Sequence, residues 1–542
     1  MRGRAGLPSS TAGAFAPTAQ DLPLNLHALA KTEEAFAKLP VPPVGSGTST
    51  LPHPNPTQSF WTHSTSDANP LATEGSDVPL PPVIDVAIIG SGISGIGVAY
   101  HLAELLKKGQ IRKPITIAVF EARDFCAGAT GRNGGHLTPF IYHGFSHLSQ
   151  IFGKDECLKS LHVERQCVDD IVKVIEENKW EADVDLVHGG NLRLHFTEEE
   201  KREDEVDFEA AKNAGIDLTD VEWLDADATK EKYGASFPST RIDGYNLYPL
   251  KLVTRLFNLA RTTASSSWSY LNPFSWFRPS PRYTMSLYTH TPVTSITSGT
   301  LPWNVWALET PRGSVMAKVI VHCTNAYVSH LLPHLSGPDG VVPTRGQVIA
   351  TRAAVPREKL WNASGAGNEG FEYWFPRPKK SDDEDGKPLI IIGGGRESSG
   401  PQYEFYTTDD SSINPDVSGT LRKFLPAVYP DQFERGKEPE MEWTGIMGYT
   451  KTYEPIIGQV LDAAGDVVPG QYMSVGFSGH GMTRAFRCAE AIASMVHDEL
   501  CGKPVNVPHW VPGHYIRGWK KPESRASEES WVDAGKVMDQ ST

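Results

Sequence analysis

Asp85-Val-Ala-Ile-Ile-Gly-Ser-Gly-Ile-Ser-Gly95 is the stretch that decides the fold. A short apolar run, Val83 to Ile89, breaks at Gly90, Gly92 and Gly95 and continues as a small-residue helix from Ile96 to Leu106. Strand, glycine-rich turn and helix in this order are what a dinucleotide-binding βαβ unit needs. Gly90 permits the tight turn, and Gly92 lets the backbone approach a pyrophosphate seated over the unpaired N–H groups of the helix N-terminus. Gly95 lets helix and strand pack closely, and Ile93 and Ser94 complete the binding turn. The pattern alone is weak in a chain with 49 glycines, so its context matters. Downstream, Gly109 and Pro114 mark a turn, and Ile115-Thr-Ile-Ala-Val-Phe120 alternates like a second strand. It ends at Glu121-Ala122, where a carboxylate accepts hydrogen bonds from an adenosine ribose and repels a 2′-phosphate. The dinucleotide is therefore NAD or FAD, not NADP.

Two further glycine clusters separate these cofactors. Gly128-Ala-Thr-Gly-Arg-Asn-Gly-Gly-His136 can approach a ligand closely and donate several hydrogen bonds, through Thr130, Gly131, Arg132, Asn133, Gly134, Gly135 and His136. A nicotinamide unit does not need such a loop here; a flavin does, because its ribityl chain and ring run on from the pyrophosphate. Val475-Gly-Phe-Ser-Gly-His-Gly-Met-Thr-Arg484 is a third strand-to-helix turn, leading into Ala485 to Met495. The positive end of that helix, set under the N1–C2=O edge of an isoalloxazine, would stabilise an anionic reduced flavin. Gly479, His480, Gly481 and Met482 are the residues it would present.

Together, Gly90-Ser-Gly-Ile-Ser-Gly95, Glu121, Gly131-Arg-Asn-Gly-Gly135 and Gly476-Phe-Ser-Gly-His-Gly481 resemble the D-amino-acid-oxidase-type FAD-dependent oxidoreductases. Ala129-Thr-Gly-Arg-Asn-Gly-Gly-His136, Asn325-Ala-Tyr327, Pro343-Thr-Arg-Gly-Gln-Val348 and Tyr449-Thr-Lys-Thr-Tyr-Glu-Pro-Ile-Ile-Gly458 resemble their γ-glutamylputrescine-oxidase-like branch. The resemblance implies an α/β fold: a discontinuous Rossmann-type FAD-binding domain plus a smaller α+β substrate domain with an antiparallel or mixed sheet. The FAD domain is expected at 81–185, 246–340 and 441–502, and the substrate domain at 186–245 and 341–440. It also implies an oxidoreductase that oxidises the CH–NH bond of an amine or amino-acid-derived substrate by hydride transfer to flavin N5. Tyr449, His480 and Arg345 are the candidate catalytic residues. Amino-acid oxidases of this type place an arginine before the final Pro-x-x-Gly turn, to grip the substrate carboxylate. Glu442 to Pro455 contains none, and Lys451 lacks the planar paired donors, so the sequence leans towards an amine. The cysteine that carries flavin in some relatives is also absent here, so non-covalent FAD is expected, with His136 the conceivable point of a histidyl link.

Composition bounds the alternatives. A formal charge of −14 with no basic stripe argues against nucleic acid, and no apolar segment reaches spanning length. Six scattered cysteines without a CxxC pair suggest neither a disulfide framework nor a metal site, and fit a cytosol-like compartment. The first 20 residues carry Arg2 and Arg4 and no acid, a faint likeness to a mitochondrial presequence. Residues 1–80 are rich in Pro, Ser, Thr and Gly and read as a largely disordered arm, in which Phe60 and Trp61 anchor or dock. Residues 265–282 read as a surface insertion, and 503–542 as a polar, peripheral tail. A flavin-binding scaffold or trafficking protein and an NAD-linked dehydrogenase are the competing functions. Oligomeric state is not legible.

Overall fold

A computed structural model describes residues 22–24, 26, 28–40, 48–109, 111, 113–265, 282–299, 306–378 and 386–521. The strand Val83–Ile89 is buried on both faces from Val86 onward, as a central parallel strand must be, with Val86, Ala87 and Ile88 at zero exposure. It pairs in parallel with Gly313–His322 on one side and Ile115–Phe120 on the other. Tyr283–Tyr288 and Val467–Val475 extend the parallel sheet outward, the former beside 115–120 and the latter beside 313–322. Ser295–Ser298, Trp306–Thr310 and Ile456–Leu461 add antiparallel margins. Helices Ile93–Lys107 and Ala485–Leu500 pack on one another so closely that a Cβ on Gly97 would lie 2.9 Å from that of Ala489.

A second, mixed sheet of eight strands runs from Met441–Tyr449 through Val342–Arg352, Leu389–Gly394, Glu372–Pro376 and Ser364–Gly367 to three strands between residues 191 and 242. Its outer face is covered by helix Pro415–Val428, where Trp374 meets Phe424 with ring centroids 5.1 Å apart. Its inner face looks towards the carboxyl ends of the parallel strands, where open α/β sheets hold their ligands.

Several expectations change. Met441–Tyr449 is an edge strand of the second sheet, paired with Val342–Arg352 from Val342↔Tyr449 onward, so the chain returns to the dinucleotide sheet only after it. The arm is not largely disordered over 48–80: it is bound to the body, with Trp61 wholly buried and Ser59 donating to the Gly131 carbonyl at 2.6 Å. The tail is not peripheral up to residue 521, since Tyr515 is buried and His514 sits in an internal ion cluster. Residues 1–21, 266–281, 379–385 and 522–542, which include the presequence-like start, most of the 265–282 insertion and the acidic segment 379–385, lie outside the described residues. Strands Glu372–Pro376 and Leu389–Gly394, on either side of that segment in sequence, pair antiparallel. Among the described residues no helix is long and apolar enough to cross a membrane, and no cluster of His, Cys, Asp and Glu could hold a metal ion.

Candidate active site

A cavity of about 990 Å³ lies between the two sheets. At one end it is lined by Gly90 to Ser94 and by Glu121 and Ala122. Gly90 has φ +108°, and a Cβ there would lie 2.5 Å from the Cys323 carbonyl oxygen. Only glycine makes that turn. The helix starts at Ile93 with Gly92 as its N-cap, and the Ile93 N–H donates to Thr130 Oγ1 at 3.0 Å. Glu121 braces the turn: Oε2 accepts from Ser91 N–H (3.1 Å) and Ser91 Oγ (2.7 Å), and Oε1 from Arg123 N–H (3.0 Å). Gly95 and Gly131 stand behind the wall, their missing Cβ atoms making room for the carbonyls of Gly90 and Cys126 at 1.9 and 2.1 Å.

The middle of the cavity is the 128–136 loop, and here the arm intervenes. Arg132 donates from Nε to Ala127 O (2.9 Å), from Nη1 to Thr444 O (2.7 Å) and from Nη2 to Thr57 O (2.6 Å). The sequence offers Arg132 as a ligand donor; the structure uses it to bolt loop, arm and second sheet together. Burial lowers its pKa to about 10. Trp61 Nε1 donates to the Asn133 carbonyl at 2.6 Å, while Asn133 Oδ1 accepts from Gly135 N–H at 2.8 Å. Gly134 packs under Tyr373, whose ring would lie 2.2 Å from any Cβ there. His136 meets Tyr373 and Phe375 edge-on, each at 5.4 Å. Burial holds its pKa down to about 4, so the imidazole is neutral at pH 7.

The 476–485 turn closes the far wall. Asn325 Oδ1 accepts from Gly476 N–H (2.9 Å) and Phe477 N–H (3.3 Å), which fixes the turn's entry. His480 stacks on Phe140 with centroids 3.9 Å apart and pairs with Glu164 at 2.8 Å. Glu164 also receives Arg484 at 2.6 Å, and Arg484 reaches Glu454 at 3.3 Å, which in turn faces His514 at 3.6 Å. Burial alone would raise the Glu164 carboxyl; Arg484 and His480 outweigh it and bring it down to about 2.

Beyond this turn the cavity becomes aromatic, with Phe371, Tyr373, Tyr449 and Tyr453 in its wall. Trp374 points away into the core behind the sheet. Arg396 lies among these rings, and Glu33, Glu203 and Glu369 are also in the lining. Of the three candidate catalytic residues, Tyr449 and His480 line the cavity. Arg345 does not: it pairs with Glu404 at 2.6 Å and donates to Asp409 O and Ser412 Oγ at 3.2 and 2.8 Å. Neighbouring residues on a strand face opposite sides, and Gly346 and Val348, on the other face from Arg345, line the cavity.

The sequence reading does not single out Glu33, Thr57, Glu164 or Arg396. Their roles come from contacts between distant segments. Asn325 and Tyr327 carry a signal, the Asn-Ala-Tyr motif, and only the structure brings it to the cavity wall.

A parallel dinucleotide sheet facing a mixed sheet across one large cavity defines a flavoprotein-type oxidoreductase architecture. Residues 85–264 and 282–495 match the family model described as FAD dependent oxidoreductase, and the chain belongs to that family. It is 23% identical over 479 residues to gamma-glutamylputrescine oxidoreductase of Escherichia coli (strain K12), covering 84% of this chain and 93% of that protein. To the probable oxidoreductase OrdL of Rhizobium meliloti (strain 1021) it is 24% identical over 416 residues, covering 76% and 82%. The crystal structure of glycine oxidase from Geobacillus kaustophilus superposes with a TM-score of 0.56 at 20% identity, covering 79% of this chain and 97% of that one, and shows the same fold.

Proposed function

We propose that this FAD-dependent oxidoreductase oxidises the CH–NH bond of a small amine or amino-acid-derived substrate, with FAD held non-covalently along the cavity. The observation that carries this reading is the continuity of the cavity from the glycine turn at 90–94 to the aromatic chamber around Tyr449. The residues fit the cofactor. Gly90 and Gly92 leave room for a pyrophosphate over the helix N-terminus, and Glu121 faces the ribose position. Thr324 Oγ1 and Tyr327 Oη are buried in the same wall without protein partners, as groups awaiting a polar ligand are. The 128–136 loop would follow the ribityl chain, and Gly479 to Met482 would edge the ring.

When bound along Gly90–Ser94, the 128–136 loop and Gly479–Met482, FAD would supply a two-electron acceptor for the C–H bond beside the amine nitrogen. The protein's part is positioning and exclusion of water. The aromatic wall disfavours an ammonium relative to the neutral amine, the form whose lone pair can become the new C=N bond. The substrate leaves as an imine, and water hydrolyses it to carbonyl and amine. Tyr449 orients substrate through its hydroxyl, and Glu164 holds His480 at a fixed angle against Phe140. We place the enzyme in the cytoplasm, where its six unpaired cysteines remain reduced.

Product analysis tests the reading. Turnover of a substrate deuterated at the carbon beside nitrogen is expected to give the deuterium-depleted carbonyl compound and free amine, with flavin reduction slowed by the label. A bound flavin that no amine reduces would favour a scaffold, and a protein that takes up NAD but not FAD would favour a nicotinamide dehydrogenase.

A further inference from the structure

Helix Glu198–Asn213 has the acid-rich sequence of a solvated element, yet Glu200 and Asp204 are turned inward, at 8% and 5% exposure. They stand one turn apart on the face that meets the 138–147 loop. With Thr138, His143, Ser146 and Glu203 they line a polar recess on one side of the cavity. Phe140 marks how near the recess lies to the reacting end. Its ring stacks on His480 at 3.9 Å and stands 5.7 Å from His143. The recess therefore opens one ring's breadth from the turn assigned above to the flavin edge.

Asp204 is fully engaged. Its Oδ2 meets His195 Nε2 at 2.9 Å and accepts from Tyr142 Oη (3.0 Å) and Thr240 Oγ1 (3.1 Å). Its Oδ1 faces His143 Nε2 at 3.3 Å and Arg193 Nε at 4.0 Å. A carboxylate against Nε2 favours the proton on that nitrogen and leaves the Nδ1 lone pair to accept. Burial, which Asp204 only partly offsets, holds His143 down to about 3, so the ring is neutral at pH 7. The residue is 9% exposed, and Nδ1 has no hydrogen-bond partner among the described residues. Glu200 commits one oxygen to its own helix: Oε2 accepts from the Phe196 and Thr197 N–H groups at 2.5 and 3.3 Å. Oε1 is buried with no hydrogen-bond partner, and so are Thr138 Oγ1 and Ser146 Oγ. Burial raises the Glu200 carboxyl, and the two N–H donors and Arg193 do not make up for it. At the mouth of the recess, burial and then the charge of Glu369 raise Glu203 as well.

The recess thus holds acceptors in want of donors, and carboxyls in want of positive charge. A neutral hydroxyl or a water would satisfy the hydrogen bonds and leave the charge; an ammonium, with three N–H donors and one positive charge, answers both. A neutral imidazole in the wall does not repel it. We propose that this recess is a second substrate subsite that takes an ammonium group, so that the amine oxidised carries another amino group a short chain away from the reacting carbon. This deepens the amine-oxidation reading and rests on it. Glu200 and His143 are the residues that select for the second cation, and Asp204 is a positioning residue that acts through His143.

The test uses the purified holoenzyme in two arms. In the first, linear α,ω-diamines, monoamines of the same length and the matching amino alcohols reduce the flavin anaerobically. Diamines are expected to be favoured over both by about tenfold or more, chiefly in KM, with a best chain length. E200Q removes the charge and keeps the helix cap, since glutamine serves the same capping box. H143F keeps a ring against Tyr142, which stacks on His143 at 4.1 Å, and removes the acceptor. Each variant is expected to lower the diamine preference by about fivefold or more. In the second arm, a diamine fully methylated at the carbons beside nitrogen, with no C–H to give up there, is titrated calorimetrically against its monoamine counterpart. The diamine is expected to bind about tenfold more tightly, and E200Q and H143F to erase most of the difference. Monoamines or amino alcohols reduced as well as diamines, or a preference unchanged in both variants, overturn the subsite while leaving amine oxidation standing. If no amine reduces the flavin, the amine-oxidation reading fails, and the calorimetric comparison alone decides whether the recess holds an ammonium.

Discussion

Trp61 shows how one side chain can serve fold and site together. Its ring is wholly buried, stacks 6.4 Å from Phe375, meets Tyr248 edge-on at 4.8 Å, and bonds the Asn133 carbonyl of the central loop. Trp61→Ala is expected to cost about 3–5 kcal/mol in chemical denaturation and to lower the FAD content of the purified protein. Protonation acts at the same scale. Burial depresses His136 and His322 from 6.5 to about 4, and His101 and His143 to about 3. The unfolded chain binds these protons and the native one does not, so stability rises with pH across that interval. Denaturation midpoints are accordingly expected to fall as pH drops from about 6.5 towards 3; midpoints flat over that range would refute neutral buried histidines. Gly90 was legible in the sequence because a tight turn writes its demand locally. Arg396 was not, since the rings that cage it come from residues 371, 405 and 449. Arg345 misled for a related reason: its motif was visible, but the face of the strand it occupies was not.

At the scale of elements, the arm carries the largest difference between reading and structure. Its Pro, Ser and Thr content suggests a chain with too little apolar surface to stay bound. A few specific contacts hold it instead: Thr57 with Arg132 and Thr444, Ser59 with Gly131, and the Trp61 ring. Further upstream, helix Ala28–Ala37 lays Phe36 on Phe405 at 5.2 Å and brings Glu33 into the cavity lining. Burial and then Glu369 raise the Glu33 carboxyl, in part because the two carboxylates repel. An acidic rim of this kind attracts cationic groups, so Glu33→Gln is expected to raise KM several-fold for substrates bearing a second positive charge and to blunt the salt dependence of their kcat/KM. Neutral side chains should show neither effect. The buried ion cluster is a second element-level device. Glu164→Gln leaves Arg484 with Glu454 alone and removes the anion that holds His480. A stability loss of about 3 kcal/mol is expected from equilibrium unfolding, with substrate reduction slowed beyond what lost folded protein explains.

For the whole molecule, the division into a parallel dinucleotide sheet and a mixed substrate sheet follows from two kinds of sequence signal. Strands buried on both faces read as apolar runs, and Val83–Ile89 stood out for that reason, while Ile115–Phe120 stood out by its alternation. The second sheet is assembled from residues between 191 and 449, and pairings over such distances leave no local mark. The resemblance supplied that half of the architecture, and the family match confirms it. The cavity between the sheets is where the account stands or falls. Its most direct test is an anaerobic absorbance titration of the purified holoenzyme with amines and amino acids. The account predicts that a substrate among them bleaches the flavin band with one equivalent per chain and releases one equivalent of carbonyl product. A flavin band unchanged by every member of the panel would contradict it.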